Sequence, residues 1–201
     1  YDFFELPDGR WGFLIADVSG HGTPAAVMMA ILHSLSHGHP GHPDPPGALL
    51  KHVNDRLAER YTAENEVFVT AFYGILDPAT RTFTYACAGH TPPRIRRCSE
   101  GKVIALEDVG GPPLGLFPGL DYAESSVTLA PGDFLVLYTD GITEAMNDRG
   151  DQFTPERLDE VLARCSLAAR PMVDAIIDAV AAHAGRHAPH DDQTLVVAKV
   201  S

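Results

Sequence analysis

Three short segments place acids where an apolar run gives way to small residues. That arrangement suits a hard divalent cation. The first is Asp17-Val18-Ser19-Gly20-His21-Gly22, which follows the apolar Trp11 to Ala16 and precedes the helix-like Pro24 to Ala30. A carboxylate at a strand end can point out of the sheet, and glycines let backbone carbonyls and a cation approach closely. The second is Asp140-Gly141, after Leu135 to Thr139. The third is His190-Asp191-Asp192-Gln193-Thr194, ahead of Leu195 to Ala198. Three such acids at strand ends can converge on one edge of a layered sandwich. An all-oxygen set selects Mg²⁺ or Mn²⁺ over zinc, which prefers Cys and His.

The motifs also have a characteristic order. DVSGHG at Asp17 to Gly22 is followed by Ala88-Gly89-His90-Thr91-Pro92-Pro93 and Gly111-Pro112-Pro113-Leu114-Gly115-Leu116. Leu129-Ala130-Pro131-Gly132-Asp133 then leads into TDGITEA at Thr139 to Ala145, and DDQT at Asp191 to Thr194 precedes the last apolar run. This series resembles the bacterial SpoIIE/RsbU-type branch of the PP2C-like, metal-dependent serine/threonine phosphatases. The resemblance covers nearly the whole chain and keeps motif order.

The resemblance implies a fold and a chemistry. The fold is α/β (α+β), a four-layer α-β-β-α sandwich with two central, mainly antiparallel sheets. Asp17 would bridge two divalent cations, Mn²⁺ or Mg²⁺, and Val18 would offer its backbone carbonyl to one of them. Asp140 would ligate one metal, and Asp191 would complete that coordination. Asp192 would hold ligand geometry from behind, and Gly20 and Gly22 would serve the backbone turn. The paired cations would lower the pKa of a bridging water, and the hydroxide would attack a phosphoserine or phosphothreonine in line.

The resemblance also implies partners. The substrate in this branch is typically a phosphorylated STAS-type anti-sigma-factor antagonist. The family carries a GGD-like stretch whose Asp lies upstream of the position of Tyr1 and completes the metal site. Residues 1–201 are therefore expected to be a PP2C-like domain truncated at its N-terminus. It would be the C-terminal module behind a sensor domain, with a homodimer possible. The branch generally lacks the arginine phosphate clamp of the animal enzymes. Substrate phosphate would then be held mainly by metal, with recognition resting on a protein–protein interface.

Composition narrows the alternatives. Acidic residues outnumber basic ones, 27 to 15, for a formal charge of −12. Nucleic-acid binding needs clustered Lys and Arg, so a nuclease is disfavoured and no nucleic-acid partner is expected. No apolar run approaches a membrane span and no basic-then-apolar signal opens the chain. Cys87, Cys98 and Cys165 are odd in number and show no CxxC spacing, which argues against disulfides and a zinc knuckle, so a cytoplasmic setting is expected. A competing reading is a non-catalytic, dimerising signalling module of the same fold. Retention of Asp17, Asp140 and Asp191 counts against it.

The elements that must position the acids follow from periodicity. Phe3 to Leu6 and Trp11 to Asp17 read as a hairpin around Pro7-Asp8-Gly9. Pro24 to Ser36 reads as a helix burying Ala26, Met29, Ala30, Leu32 and Leu35, and Pro46 to Tyr61 as a second helix. Strands follow over Val67 to Leu76 and Phe83 to Ala88, with short edge strands at Arg94 to Arg97 and Lys102 to Leu106. Ser125 to Leu129 and Phe134 to Thr139 are further strands, Pro155 to Ala163 and Pro171 to Ala184 helices, and Thr194 to Val200 a buried final strand. His33, His37, His39 and His42 read as a solvated His-Gly-Pro loop, with Asp44 their one carboxylate neighbour, rather than a metal site. His21, His90 and Glu144 are left out of catalysis, and Cys87 reads as core.

Overall fold

The computed structural model describes residues 1–62, 67–164, 168–186, 189 and 191–201. Cys165 and His190 lie outside the described residues. In chain order the elements are β1 (Asp2–Glu5), β2 (Trp11–Val18), α1 (Thr23–His37), α2 (Pro46–Arg60), β3 (Val69–Asp77), β4 (Thr82–Ala88), β5 (Arg94–Arg97) and β6 (Lys102–Ala105). They continue with β7 (Glu124–Thr128), β8 (Phe134–Tyr138), α3 (Asp140–Thr143), α4 (Pro155–Arg164), α5 (Ala169–Ala184) and β9 (Leu195–Lys199). The chain divides into two compact units. One holds residues 1–90 and 107–128, the other 91–106 and 129–201.

The first unit is built on an antiparallel sheet of order β1-β2-β3-β4-β7. The expected hairpin forms, and its turn is a single 3-10 turn at Pro7–Gly9 closed by Leu6 N–H donating to Arg10 O at 2.9 Å. Helices α1 and α2 pack together, and α2 lies on β3 and β4. Leu49, Leu50, Val53 and Leu57 of α2 meet Val69, Ala71 and Tyr73 in one apolar cluster. Helix α1 keeps three of the five expected core residues: Leu32 is buried, and Met29 and Leu35 pack partly buried against the core. Its fully buried stripe is Met28, Leu32 and Ser36, while Ala26 and Ala30 are exposed. The alanines carry too little apolar area to set a helix's rotation, and the larger Met28 and Leu32 set it instead. Ser36 is tolerated inside because its hydroxyl donates to Leu32 O at 2.9 Å.

The second unit carries an antiparallel sheet of order β6-β5-β8-β9. Helices α4 and α5 pack on each other and on this sheet, around Phe134, Val136, Tyr138, Leu158, Leu162, Met172 and Ile176. Two expectations need correcting. β5 is an inner strand between β6 and β8, not an edge. Its arginines can be buried because each finds acceptors. Arg94 Nε donates to Asp159 at 2.8 Å, and the Arg96 guanidinium donates to the carbonyls of Arg97, Lys102 and Ala163. β9 is half-buried rather than buried. The mixed α+β class and the two antiparallel sheets match the expectation.

Candidate metal centre

In the first unit, Asp17 and Val18 are the last two residues of β2. Their register is held by β3, where Asp17 faces Thr70 and Val18 faces Val69. The pairing continues past the strand end: Ser19 N–H donates to Phe68 O, and Phe68 N–H returns to Ser19 Oγ, both at 2.9 Å. Thr70 Oγ1 lies 2.9 Å from His90 Nδ1, so His90 braces the neighbouring strand. The chain then turns through Gly20 (φ 96°) and Gly22 (φ 78°) into α1. A Cβ at Gly20 would meet nothing within 4 Å, so its glycine serves the left-handed backbone rather than space. Asp17 is half-buried and Val18 buried.

In the second unit, β8 ends at Tyr138 and Asp140 opens the helical turn α3. The chain curls here into a single helical turn, with Glu144 N–H donating to Asp140 O at 2.7 Å. Glu144 itself is exposed, as expected. The segment before β9 is sewn to this turn. Thr139 N–H donates to Thr194 O at 3.1 Å, and Gln193 Nε2 donates to Gly141 O at 3.0 Å. A Cβ at Gly141 would stand 2.4 Å from Asp192 O, so only glycine permits this approach.

That stitching brings Asp140 and Asp191 together, with carboxylate oxygens within 4.8 Å of each other. Asp192 reaches the site through its backbone: its N–H donates to Asp191 Oδ1 at 2.8 Å, which orients that carboxylate. Among the described residues, Asp140 Oδ1 is buried with no hydrogen-bond partner. A buried carboxylate oxygen without a donor costs free energy, and a second carboxylate nearby adds repulsion. A divalent cation with oxygen ligands relieves both, so the residues fit Mg²⁺ or Mn²⁺.

Sequence reasoning missed Thr139, Gly141 and Gln193 as the residues that build this site. All three sit inside the TDG and DDQT motifs, and that is the signal that could have found them. Cys87 is core, as expected. Its thiol donates to His90 O at 3.4 Å, and burial pushes it up, away from a nucleophilic thiolate. The histidine reading needs correction. His37 joins His33 in α1, which runs one residue past the expected helix, and the carboxylate neighbour of both is Asp2 rather than Asp44. Asp44 pairs with Arg10 at 2.7 Å.

Comparison with known proteins agrees with the motifs. Residues 7–201 match the family model for Stage II sporulation protein E (SpoIIE). The chain is 32% identical over 183 residues to the phosphoserine phosphatase RsbU of Bacillus subtilis (strain 168), covering 91% of this chain and 53% of RsbU. The crystal structure of the RsbU and RsbW domains of Rv1364c from Mycobacterium tuberculosis aligns with a TM-score of 0.79 at 27% identity, over 98% of this chain and 54% of that one. The SiaA-PP2C domain of Pseudomonas aeruginosa aligns with a TM-score of 0.85 at 22% identity, over 100% of this chain and 79% of that one, which shows a shared fold. The chain spans 34% to 53% of the length of the curated relatives it matches. With the motifs in order and the family match running from Pro7 to the last residue, the chain belongs to the SpoIIE family of PP2C-like, metal-dependent serine/threonine phosphatases.

Proposed function

We propose that this chain hydrolyses phosphoserine or phosphothreonine on a regulatory protein, an anti-sigma-factor antagonist of the STAS type. Asp17, the Val18 carbonyl, Asp140 and Asp191 are the proposed holders of two Mn²⁺ or Mg²⁺ ions, with Asp192 and Gly20 fixing the backbone around them. The observation that carries this reading is the buried Asp140 Oδ1, which has no donor and lies beside the Asp191 carboxylate. Family membership and the 32% identity to a phosphoserine phosphatase supply the reaction class.

When bound, such cations lower the pKa of water toward neutrality and offset charge developing on phosphoryl oxygens. The chain's own residues do the positioning. The α3 turn fixes the Asp140 backbone, Thr139 and Gln193 tie the Asp191 segment to it, and the Ser19–Phe68 pair anchors the end of β2. The proposed setting is cytoplasmic, as a catalytic module linked to a sensor domain. No helix among the described residues is long and apolar enough to cross a membrane.

The test is phosphate release from p-nitrophenyl phosphate and from a serine-phosphorylated STAS protein, with and without Mn²⁺, beside Asp17→Asn. Release that needs both Mn²⁺ and Asp17, and is faster on the protein substrate, is the expected result. Absence of release from both substrates would favour a non-catalytic signalling module of the same fold.

A further inference from the structure

His33 and His37 stand four residues apart on α1, so both rings project from one helical face. Their Nε2 atoms lie 3.2 and 2.7 Å from a single oxygen, Asp2 Oδ2, which β1 brings to that face. The two rings are 4.5 Å apart between centroids. Both partners of this convergence are held. The His37 ring stacks on Phe4 at 4.6 Å and 27°. Phe3 N–H donates to Asp2 Oδ1 at 2.8 Å, which leaves Oδ2 to the imidazoles. One ligand atom from each of the three residues lies within 4.8 Å of the other two.

We propose that Asp2, His33 and His37 form a second metal site, for a borderline transition ion such as Zn²⁺. It differs in chemistry from the all-oxygen set of the phosphatase reading, and it does not depend on that reading. Two imidazoles and one carboxylate suit zinc, copper and nickel, not magnesium. A tetrahedral zinc with bonds of about 2.0–2.1 Å needs its ligand atoms about 3.4 Å apart. The observed 3.2 and 2.7 Å lie within a small side-chain adjustment of that spacing. The His33 and His37 side chains are 64% and 45% exposed, so an ion reaches them from solvent. A mostly apolar cleft lined by Asp2, Leu14, Ala16, Leu32 and His33 adjoins the pair. The occupied site ties β1 to α1, the helix entered directly from the Asp17 loop.

The proposal is tested by calorimetric titration of the chain with Zn²⁺ in excess Mg²⁺, beside His33→Ala, His37→Ala and Asp140→Asn. The expected result is one zinc per chain, with affinity at least tenfold weaker in each histidine variant and unchanged in Asp140→Asn. Cobalt substitution gives an independent signature: visible absorption from a low-coordinate N/O site, lost in His33→Ala. Circular dichroism checks that the variants fold, and turnover on p-nitrophenyl phosphate is expected to be unchanged in His33→Ala. No zinc binding, or equal binding by the wild type and both histidine variants, would overturn the site.

Discussion

The Thr139 hydroxyl donates to the Asp192 carbonyl at 3.1 Å and accepts the Thr194 N–H at 3.0 Å. One side chain at the end of β8 thereby sets the path of the segment entering β9. That segment carries Asp191. Thr139→Val keeps the shape and removes both bonds, leaving the half-buried Thr194 N–H and the Asp192 carbonyl to find other partners. The expected cost is about 1–3 kcal/mol in urea unfolding. Mn²⁺ affinity, read from the metal dependence of turnover, is expected to fall about 10–100-fold, because the groups behind metal ligands carry effects of that size.

Asp140→Asn separates ligation from folding. The change removes a negative charge whose Oδ1 has no donor and which faces Asp191. Metal-free stability is therefore expected to be equal to or above wild type in thermal unfolding. Turnover is expected to drop by more than about a hundredfold. Full activity in this variant would remove Asp140 from the metal set.

Asp133 is a structural acid. Its carboxylate accepts from Arg97 Nη1 at 2.9 Å, Cys98 N–H at 3.1 Å and Ala130 N–H at 2.9 Å, and its side chain is 1% exposed. The Pro-Gly-Asp turn before β8 therefore holds β5 and β8 in register through a buried ion pair. Asp133→Ala removes a buried acceptor shared by the Arg97 guanidinium and two backbone N–H groups and is expected to destabilise by about 3–5 kcal/mol in chemical unfolding. A loss below about 1 kcal/mol would show that the pair is not needed.

His52 gives the fold an acid-side weakness. Burial, then His39 and Arg56, hold its imidazole below the ordinary histidine range. The unfolded chain consequently binds this proton more readily than the folded one, and stability rises with pH across that window. The contribution is fully present above the ordinary histidine pKa and is lost as pH falls through the lowered one. Thermal unfolding between pH 5 and 8 is expected to show a shallower acid-side loss in His52→Gln than in wild type. Parallel curves would assign the acid sensitivity elsewhere.

Much of this protein was legible in its sequence. Periodicity placed α2 within a residue, since Leu49, Leu50, Val53 and Leu57 repeat at helical spacing and all are buried. The acids suited to a metal were legible because they sit in short motifs that keep a characteristic order; an Asp-Gly after a strand, taken alone, is most often an ordinary turn. The residues around them explain the motif: Gly141 is glycine because the Asp192 carbonyl passes 2.4 Å from where its Cβ would be. What remained hidden were relationships through space. The sequence R-I-R-R reads as an edge strand by its charge, and only the packing supplies the Asp159 and carbonyl acceptors that let it lie inside. His37 reads as the start of a loop because glycine and proline crowd just beyond it. The meeting of His33 and His37 with Asp2 depends on the rotation of α1, set by Met28 and Leu32, and on where β1 begins. Local pattern determines which segments become strands and helices. Helix rotation and strand register, decided by the side chains buried in the core, determine which distant groups meet.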